Sequence, residues 1–300
     1  MVAGEAPLAK APPSTAHAQP PGPGLPVQAP SVKTTVAEGE VTMAPFNQGI
    51  GVSWANAAPA FPADKPIWDA SGLDSLAQIT AEVVECRACP RLVAWREQVA
   101  QDRRASFRNQ DYWGRPIPGF GDPEARMVVV GLAPAAHGGN RTGRIFTGDR
   151  SGDWLFRALW RAGFANQPTS THVGDGLLLA GAYVAAAVRC APPANKPTPE
   201  ERRRCLPYLE RELKALDTAS LIVALGRFAH DAVADLFALR PRPLFGHGRE
   251  TELGGGRRLI ASFHPSQQNT FTKKLTEDAF DAIFTRARLL LKSDEGVEGP

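Results

Sequence analysis

From about residue 70 onward, short apolar runs alternate with longer amphipathic stretches. Four apolar runs have the length of buried strands, at residues 126–131, 181–188, 221–225 and 257–263. Helices are predicted over residues 151–162, 199–216, 227–239 and 276–292, and over residues 73–99 with an interruption at Cys86–Cys89. Because strands alternate with helices, we predict an α/β fold with a parallel sheet covered by helices on both faces.

Three of the loops that follow these strands carry candidates for a site, because ligands of parallel sheets bind beyond the carboxyl ends of the strands. Residues 131–149, which we call the first-motif loop, are rich in glycine and include Phe146 and Asp149. Glycine lets a backbone approach a ligand closely, but this loop matches neither the P-loop nor the dinucleotide-binding fingerprint. Asp149 is also a candidate N-cap of the helix that follows.

The other two loops add an amide and an imidazole. Prolines stiffen the loop after the second strand and are expected to hold Asn195 rigidly. His264 ends the fourth strand and is followed by a proline and Ser266, a position in which an imidazole is well placed to meet a ligand. A structural role for this histidine is the alternative.

Four cysteines indicate a metal centre. Cys86 and Cys89 form a C-x2-C pair, whereas Cys190 and Cys205 are separated by fourteen residues. Such thiolates hold either a tetrahedral zinc ion or an iron–sulfur cluster. Zinc sites usually have two close pairs, so the wide second pair favours a cuboidal four-iron cluster. Four buried thiols or two disulfides are the remaining alternatives.

Composition divides the chain into a tail and a domain. Eight of the first thirty residues are proline and seven are alanine, and such a segment lacks the side chains that build a core. We predict a disordered tail over residues 1–50, whose partner is unknown, and a partly ordered linker over 51–69. The domain is predicted over 70–292, followed by a flexible C-terminus over 293–300.

Membrane and secretory functions are not indicated. No apolar run reaches the roughly 18 residues of a membrane span, and the first residues lack the charged and apolar regions of a signal peptide. Metal-bound thiolates also fit a reducing compartment better than a secreted disulfide protein. We therefore expect a cytoplasmic monomer with no membrane association.

The three loops and the four cysteines together resemble uracil-DNA glycosylases of the iron–sulfur type, and more narrowly those of family 5, the type b enzymes. The matching segments are GLAPAAHGGNRTGRIFTGD at 131–149, VRCAPPANKPTPEE at 188–201 and HPSQQNT at 264–270. With the cysteines, they extend the resemblance over roughly residues 70–292. The proline-rich tail lies outside it.

The resemblance implies a three-layer α/β/α fold with a central four-stranded parallel sheet and a cleft that receives a base flipped out of DNA. The implied reaction is hydrolysis of the N-glycosidic bond of uracil, and of other deaminated bases such as hypoxanthine and xanthine, to leave an abasic site. DNA containing such bases would be the partner. The four cysteines would hold a structural [4Fe–4S] cluster.

The resemblance also implies roles for single residues. Asp149 would orient or activate water or stabilise the cationic sugar, Asn195 would position substrate or water, and His264 would donate a hydrogen bond to the leaving base. Phe146 would stack on the flipped base. Backbone groups of the pocket would come from Gly131, Ala133 and Ala135. The expected DNA contacts are Ser266, Gln268, Lys273 and Lys274.

Two positions differ from related glycosylase families. Those families commonly have Asp or Asn third in the first motif, whereas this chain has Ala133, which cannot activate water; that role is expected to pass to Asp149. The family 4 asparagine that reads the uracil edge corresponds, by register from Cys190, to Ala186. Both features are typical of family 5 and imply weaker discrimination by hydrogen bonding.

Two other functions fit parts of the pattern. A catalytically inactive iron–sulfur nucleic-acid-binding module would share the fold and the cysteines, but the presence of Asp149, Asn195 and His264 together argues against it. An electron-transfer iron–sulfur protein would normally have more closely spaced cysteines and no need of the His264 loop.

Overall fold

A six-stranded sheet is the centre of residues 75–295, the part of the chain that the structure, a computed structural model, describes. The strands are β1 (Phe120–Gly121), β2 (Met127–Gly131), β3 (Ala182–Ala186), β4 (Leu221–Leu225), β5 (Glu250–Gly254) and β6 (Arg257–Ser262). They are arranged in the order β1-β3-β2-β4-β6-β5. The predicted tail and linker, and residues 296–300, lie outside the described residues.

The four central strands run parallel, as predicted, and both edge strands run antiparallel. Met127 of β2 pairs with Ala182 of β3 and Leu221 of β4, so these strands begin and end at the same level. β4 continues in parallel to β6. β1 pairs antiparallel with β3, and β5 with β6. The prediction of a central four-stranded parallel sheet is confirmed, and the two edge strands are additions to it.

Eight α-helices lie within residues 75–295. They are α1 (Leu76–Glu85), α2 (Pro90–Asp102), α3 (Gly139–Thr142), α4 (Arg150–Arg161), α5 (Pro199–Ala215), α6 (Arg227–Leu236), α7 (Gln267–Phe271) and α8 (Glu277–Glu295). The predicted break at Cys86–Cys89 separates α1 from α2. α6 ends three residues earlier than predicted, and α8 continues three residues beyond Lys292. None of these helices is long and apolar enough to cross a bilayer.

Alternate residues of the central strands pack into two separate cores. Met127 and Val129 of β2 face a core that includes buried side chains of α4 and α8, whereas Val128 and Val130 face one that includes side chains of α5 and α6. Because helices cover both faces, the strands are apolar along their whole length. The result is the predicted three-layer α/β/α fold, which presents the carboxyl ends of its parallel strands at a common edge.

Candidate active site and metal centre

A cavity of about 460 Å³ lies at the carboxyl ends of β2, β4 and β6. Residues at the strand ends contribute Leu132, Leu225, Gly226, Phe263 and His264 to its lining. Further lining residues come from the start of α6, from the loop before β5 and from the segment around α7, and they are Arg227, Phe228, Phe245, Gly246, Asn269 and Lys274. The cavity therefore lies where the topology of a parallel sheet places a ligand.

The imidazole of His264 lines this cavity in a neutral form. Burial lowers the pKa of His264 to about 4, so the ring carries no charge at neutral pH. Asn269 Nδ2 donates to the His264 carbonyl at 2.9 Å and fixes the backbone. Among the described residues, no group hydrogen bonds to the ring nitrogens, which leaves an N–H available to a ligand.

Phe146 packs between His264 and the end of β2. Its ring is stacked on the imidazole, with centroids 5.9 Å apart and planes inclined by 29°. A Cβ atom at Gly131 would lie 2.6 Å from the Phe146 ring, so only glycine permits this approach. Phe146 itself has a positive φ of 52°, an unusual conformation that the surrounding loop must hold.

Asp149 is held at the N-terminus of α4, as its position before the helix predicted. Its Oδ1 accepts hydrogen bonds from the backbone N–H groups of Ser151 at 2.9 Å and Gly152 at 3.1 Å. Oδ2 lies against Gly138, where a Cβ atom would approach it to 2.1 Å. Burial raises the pKa of Asp149, and the two N–H bonds only partly oppose that effect.

A buried ion pair supports the turn that carries Phe146. Arg144 Nη2 donates to Asp175 Oδ2 at 2.6 Å and to Ser170 Oγ at 2.8 Å, and Arg144 Nε donates to Thr147 Oγ1 at 3.0 Å. Burial alone would raise the pKa of Asp175, but Arg144 and two backbone N–H groups lower it well below its usual range. These contacts bind the turn to the loop before β3.

Replacing Arg144 by methionine should lower the free energy of unfolding by about 3–5 kcal/mol, because it leaves Asp175 buried without its partner. In the wild type, the depressed pKa means that the pair's contribution is present above about pH 4 and is lost as the pH falls below it. Urea denaturation at pH 7 measures the loss. Arg157→Met, at an exposed ion pair with Glu277, is the control and should cost about 1 kcal/mol at most. Equal losses in both variants would show that the buried pair contributes little.

Asn195 and the two pocket alanines lie apart from the cavity lining. Asn195 ends a short 3-10 turn, Pro193–Asn195, with a positive φ of 56° and an exposed side chain. Ala133 packs against the cysteine group described below. Ala135 accepts backbone hydrogen bonds from Gly138 and Asn140 within the first-motif loop. The catalytic role of Asn195 and the pocket roles of the two alanines stay predictions.

The candidate DNA contacts lie on and after α7, at the mouth of the cavity. Ser266 caps α7 by accepting from the backbone N–H of Asn269. Gln268 and Lys273 are exposed. Lys274 lines the cavity, with its Nζ 4.8 Å from the centroid of the Phe263 ring. Of these four residues, Lys274 shares the cavity lining with His264, and the DNA contacts of all four stay predictions.

The four cysteines are free thiols that pack into one group, which excludes the two-disulfide alternative for this structure. Cys190 and Cys205 are buried together, and Cys89 packs against them. Cys86 joins the group through Tyr208, which contacts the Cys86 thiol and also packs against the buried pair. All four cysteines therefore lie in one region of the structure, and the metal centre predicted for them stays a prediction.

The thiols of this group are protonated in the absence of a bound metal. Within residues 75–295, no three His, Cys, Asp or Glu side chains lie close enough together to hold one ion. Burial raises the pKa of Cys190 to about 11 and that of Cys205 to about 12, and bound metal would offset this by keeping its thiol ligands deprotonated.

A buried arginine that the sequence did not reveal lies beside these thiols. Arg96 Nη1 donates to Cys190 Sγ at 2.9 Å, and both terminal nitrogens donate to the Cys86 carbonyl. Its nearest carboxylate, at 3.9 Å, is Glu97, which is also paired with Arg87. A buried cation needs a negative partner, and thiolate ligands supply one. The donor set and its surroundings therefore fit an iron–sulfur cluster.

Together, the fold and the cavity define an α/β protein with a pocket at the ligand-binding edge of its sheet. His264 lines this pocket and stacks on Phe146, and Asp149 lies three residues further along the first-motif loop, at the start of α4. Comparison with known proteins makes the class narrower. The family model of the Uracil DNA glycosylase superfamily matches residues 118–288.

Several curated relatives are named type-5 uracil-DNA glycosylase. The protein of Mycobacterium tuberculosis is 52% identical over 224 residues, which are 74% of this chain and 84% of the relative. That of Thermus thermophilus is 54% identical over 206 residues, 68% of this chain and 93% of the relative. A type-4 uracil-DNA glycosylase of Archaeoglobus fulgidus is 30% identical over 199 residues. The chain belongs to the uracil-DNA glycosylase superfamily, and it is a hydrolase of N-glycosidic bonds.

Proposed function

We propose that this enzyme flips uracil and other deaminated bases out of DNA and hydrolyses their N-glycosidic bonds, leaving abasic sites for repair. The observation that carries the proposal is the stacking of Phe146 on His264 at the cavity, with Asp149 further along the same loop. The Phe146 ring touches the imidazole, and the same loop places the carboxylate three residues further on. A flipped nucleotide bound there has a carboxylate, a stacking face and a hydrogen-bond donor around it.

The reaction develops opposite charges on the sugar and on the departing base, and each charge must be stabilised. The sugar develops positive charge as the bond breaks, and the half-buried carboxylate of Asp149 stabilises that charge or orients the attacking water. The departing base develops negative charge, and the neutral His264 ring donates a hydrogen bond to it. Asn195 lies on a stiff, exposed turn, and its proposed role is to position the water or the substrate.

A broad choice of base follows from the absence of a polar reader at the end of β3. Ala186 is the last residue of that strand and pairs with Gly131 at the end of β2. A polar side chain at this position would disfavour bases that cannot hydrogen bond to it, whereas the methyl group of alanine makes no such selection. We therefore propose that hypoxanthine and xanthine are removed as well as uracil.

A panel of oligonucleotides tests the function. Each carries one uracil, hypoxanthine or xanthine, in single- or double-stranded form, and alkaline cleavage after incubation reports the abasic site. We expect cleavage with uracil and at least one purine. DNA binding without release of any base would instead establish the inactive nucleic-acid-binding module, and release of uracil alone would refute the broad choice of base.

The four thiols are proposed to hold a structural [4Fe–4S] cluster. Cys86 and Cys89 would bind it from the junction of α1 and α2, and Cys190 and Cys205 from the segment that leads into α5. The cluster supplies a cross-link between these parts of the chain and no step of the hydrolysis. Arg96 would neutralise part of its charge.

Cys190→Ser is expected to lose most of the bound iron and to unfold more readily, because ligation and folding are coupled. Iron and sulfide content, visible absorption and thermal unfolding measure both effects. Leu92→Met, at a buried neighbour of the same thiol group, changes packing without removing a ligand and should keep its iron. A colourless wild-type protein with one equivalent of zinc would refute the cluster.

A further inference from the structure

Residues 103–115 form a basic segment that the proposed site does not yet use, and we call it the arginine arm. It begins at the end of α2 and lies against the first-motif loop. Its arginines are Arg103, Arg104, Arg108 and Arg115, and its aromatic residues are Phe107, Tyr112 and Trp113. Cations interleaved with aromatic rings are common on surfaces that bind nucleic acids.

The arm is fastened to the first-motif loop by several kinds of contact. The backbone N–H of Trp113 donates to the Arg141 carbonyl at 3.0 Å, and the N–H of Gly114 donates to the Asn140 carbonyl at 3.1 Å. The Arg141 guanidinium lies 4.1 Å from the centroid of the Phe107 ring. The position of the arm is therefore fixed relative to the loop that carries the proposed catalytic carboxylate.

The same contacts place the arm beside Asp149. Arg141, which stacks on the arm, also donates to the Gly148 carbonyl at 3.0 Å. Tyr112 of the arm hydrogen bonds to His137 Nδ1 at 3.1 Å, and the neighbouring Gly138 contacts the Asp149 carboxylate. The backbone N–H of Arg104 donates to the Tyr112 hydroxyl at 3.3 Å, which places Arg104 next to this contact.

Two of the four arginines have no anionic partner in residues 75–295. Arg103 pairs with Asp111, and Arg115 pairs with Glu85, each at 3.0 Å. Arg104 and Arg108 are exposed and form no ion pair with a described residue. In the proposed function the sugar of the flipped nucleotide lies at Asp149, and the same strand continues from it over the neighbouring surface, on which the arm presents these two cations.

We propose that Arg104 and Arg108 bind the phosphodiester backbone of the DNA strand that carries the flipped nucleotide. The inference rests on the proposed function, because that function places the sugar at Asp149. It adds a second group of phosphate contacts to Lys273 and Lys274. A phosphate contact releases counterions, so each arginine should contribute to the salt dependence of DNA binding.

The test measures binding rather than base release, so its outcome is separate from that of the glycosylase assay. The probe is an oligonucleotide with one tetrahydrofuran abasic-site analogue, used as a duplex and as a single strand. Arg104→Ala/Arg108→Ala should bind both forms about tenfold more weakly. The slope of log K against log salt should become shallower by about 1.8 for the duplex and about 1.4 for the single strand.

Two control variants distinguish the loss of positive charge on the arm from a disturbed fold and from a loss of charge elsewhere on the surface. Arg104→Lys/Arg108→Lys keeps both charges and should restore most of the affinity and the slope. Lys214→Ala/Lys292→Ala removes two exposed charges from the last turns of α5 and α8. These helices return from the site edge of the sheet, so this variant should bind like the wild type.

Three results would overturn the proposal. If the double alanine variant binds as tightly as the double lysine variant, Arg104 and Arg108 make no phosphate contact. A weaker affinity with an unchanged salt slope would point to a disturbed loop instead of a lost phosphate contact. A loss confined to the duplex would assign the arm to the complementary strand.

Discussion

Replacing Asp149 by asparagine is expected to lower turnover on uracil-containing DNA about 100-fold or more, within the range for a positioned acid–base group. Asparagine is as good an N-cap as aspartate, so its side-chain oxygen can still accept from Ser151 and Gly152. The substitution therefore removes the charge and leaves the start of α4 in place. Single-turnover rates at saturating enzyme measure the loss without a contribution from product release.

The environment of Asp149 also predicts a pH dependence. Burial raises the pKa of this carboxyl group, and only the ionised form activates water or stabilises a cationic sugar. Turnover should therefore increase as the pH rises through that raised pKa, and the increase should be absent in Asp149→Asn. The sign is opposite for folding, because the raised pKa makes the stability contribution of Asp149 decrease over the same interval.

Two comparisons decide whether charge or position matters. Asp153→Asn removes an exposed carboxylate from the first turn of the same helix, and it should keep full turnover. Asp149→Ala should add a stability loss of about 1 kcal/mol from the missing cap. Unchanged turnover in Asp149→Asn would restrict this residue to capping and would leave Asn195 as the candidate that acts on water.

Local pattern was sufficient to predict the parallel strands but not the edge strands. Helices cover both faces of β2 and β4, so these strands appear in the sequence as continuous branched apolar runs. β1 has two residues, and β5 alternates exposed and half-buried positions with one buried leucine. Both are too short or too polar to be distinguished from loops without their pairing partners.

The site shows a similar division between local and long-range information. Gly226 follows β4 directly and Gly131 is the last residue of β2, and this glycine at the end of both strands was the available signal for a fourth functional loop. Phe245 gave no such signal, because it reaches the cavity from a loop before β5 and packs on Phe263, 18 positions further along the chain. Only the tertiary structure brings these two rings together.

Buried arginines were the hardest residues to predict from composition. Arginine is usually exposed, and Arg96 lies in a helix with several charged residues. Its helical spacing did contain information, because Leu92 and Val99, four residues before and three after it, are buried on the same face. The proposed cluster, with its thiolate ligands on that face, would supply the negative charge that this cation needs.

Replacing His264 by alanine is expected to reduce turnover on uracil roughly 100- to 1000-fold, as for the loss of one donor to a developing anion. Since its pKa is about 4, the ring is neutral at the pH of the assay and acts as a hydrogen-bond donor, not as a charge. Its contribution should therefore be constant above about pH 5.

The leaving base distinguishes this chemical role from a structural one. A base that carries negative charge well, such as 5-fluorouracil, needs the donor less than uracil does. The rate lost in His264→Ala should therefore be smaller for 5-fluorouracil, and both rates are measured in the same oligonucleotide under single-turnover conditions.

Asn269→Ala supplies the control, because Asn269 holds the His264 backbone carbonyl at 2.9 Å. A loop that is merely displaced should slow both substrates by the same factor, and that is the result we expect from Asn269→Ala. If His264→Ala also slows both substrates equally, the histidine positions its loop and does not stabilise the departing base. A larger loss for uracil, found only in the histidine variant, would establish the hydrogen bond to the leaving group.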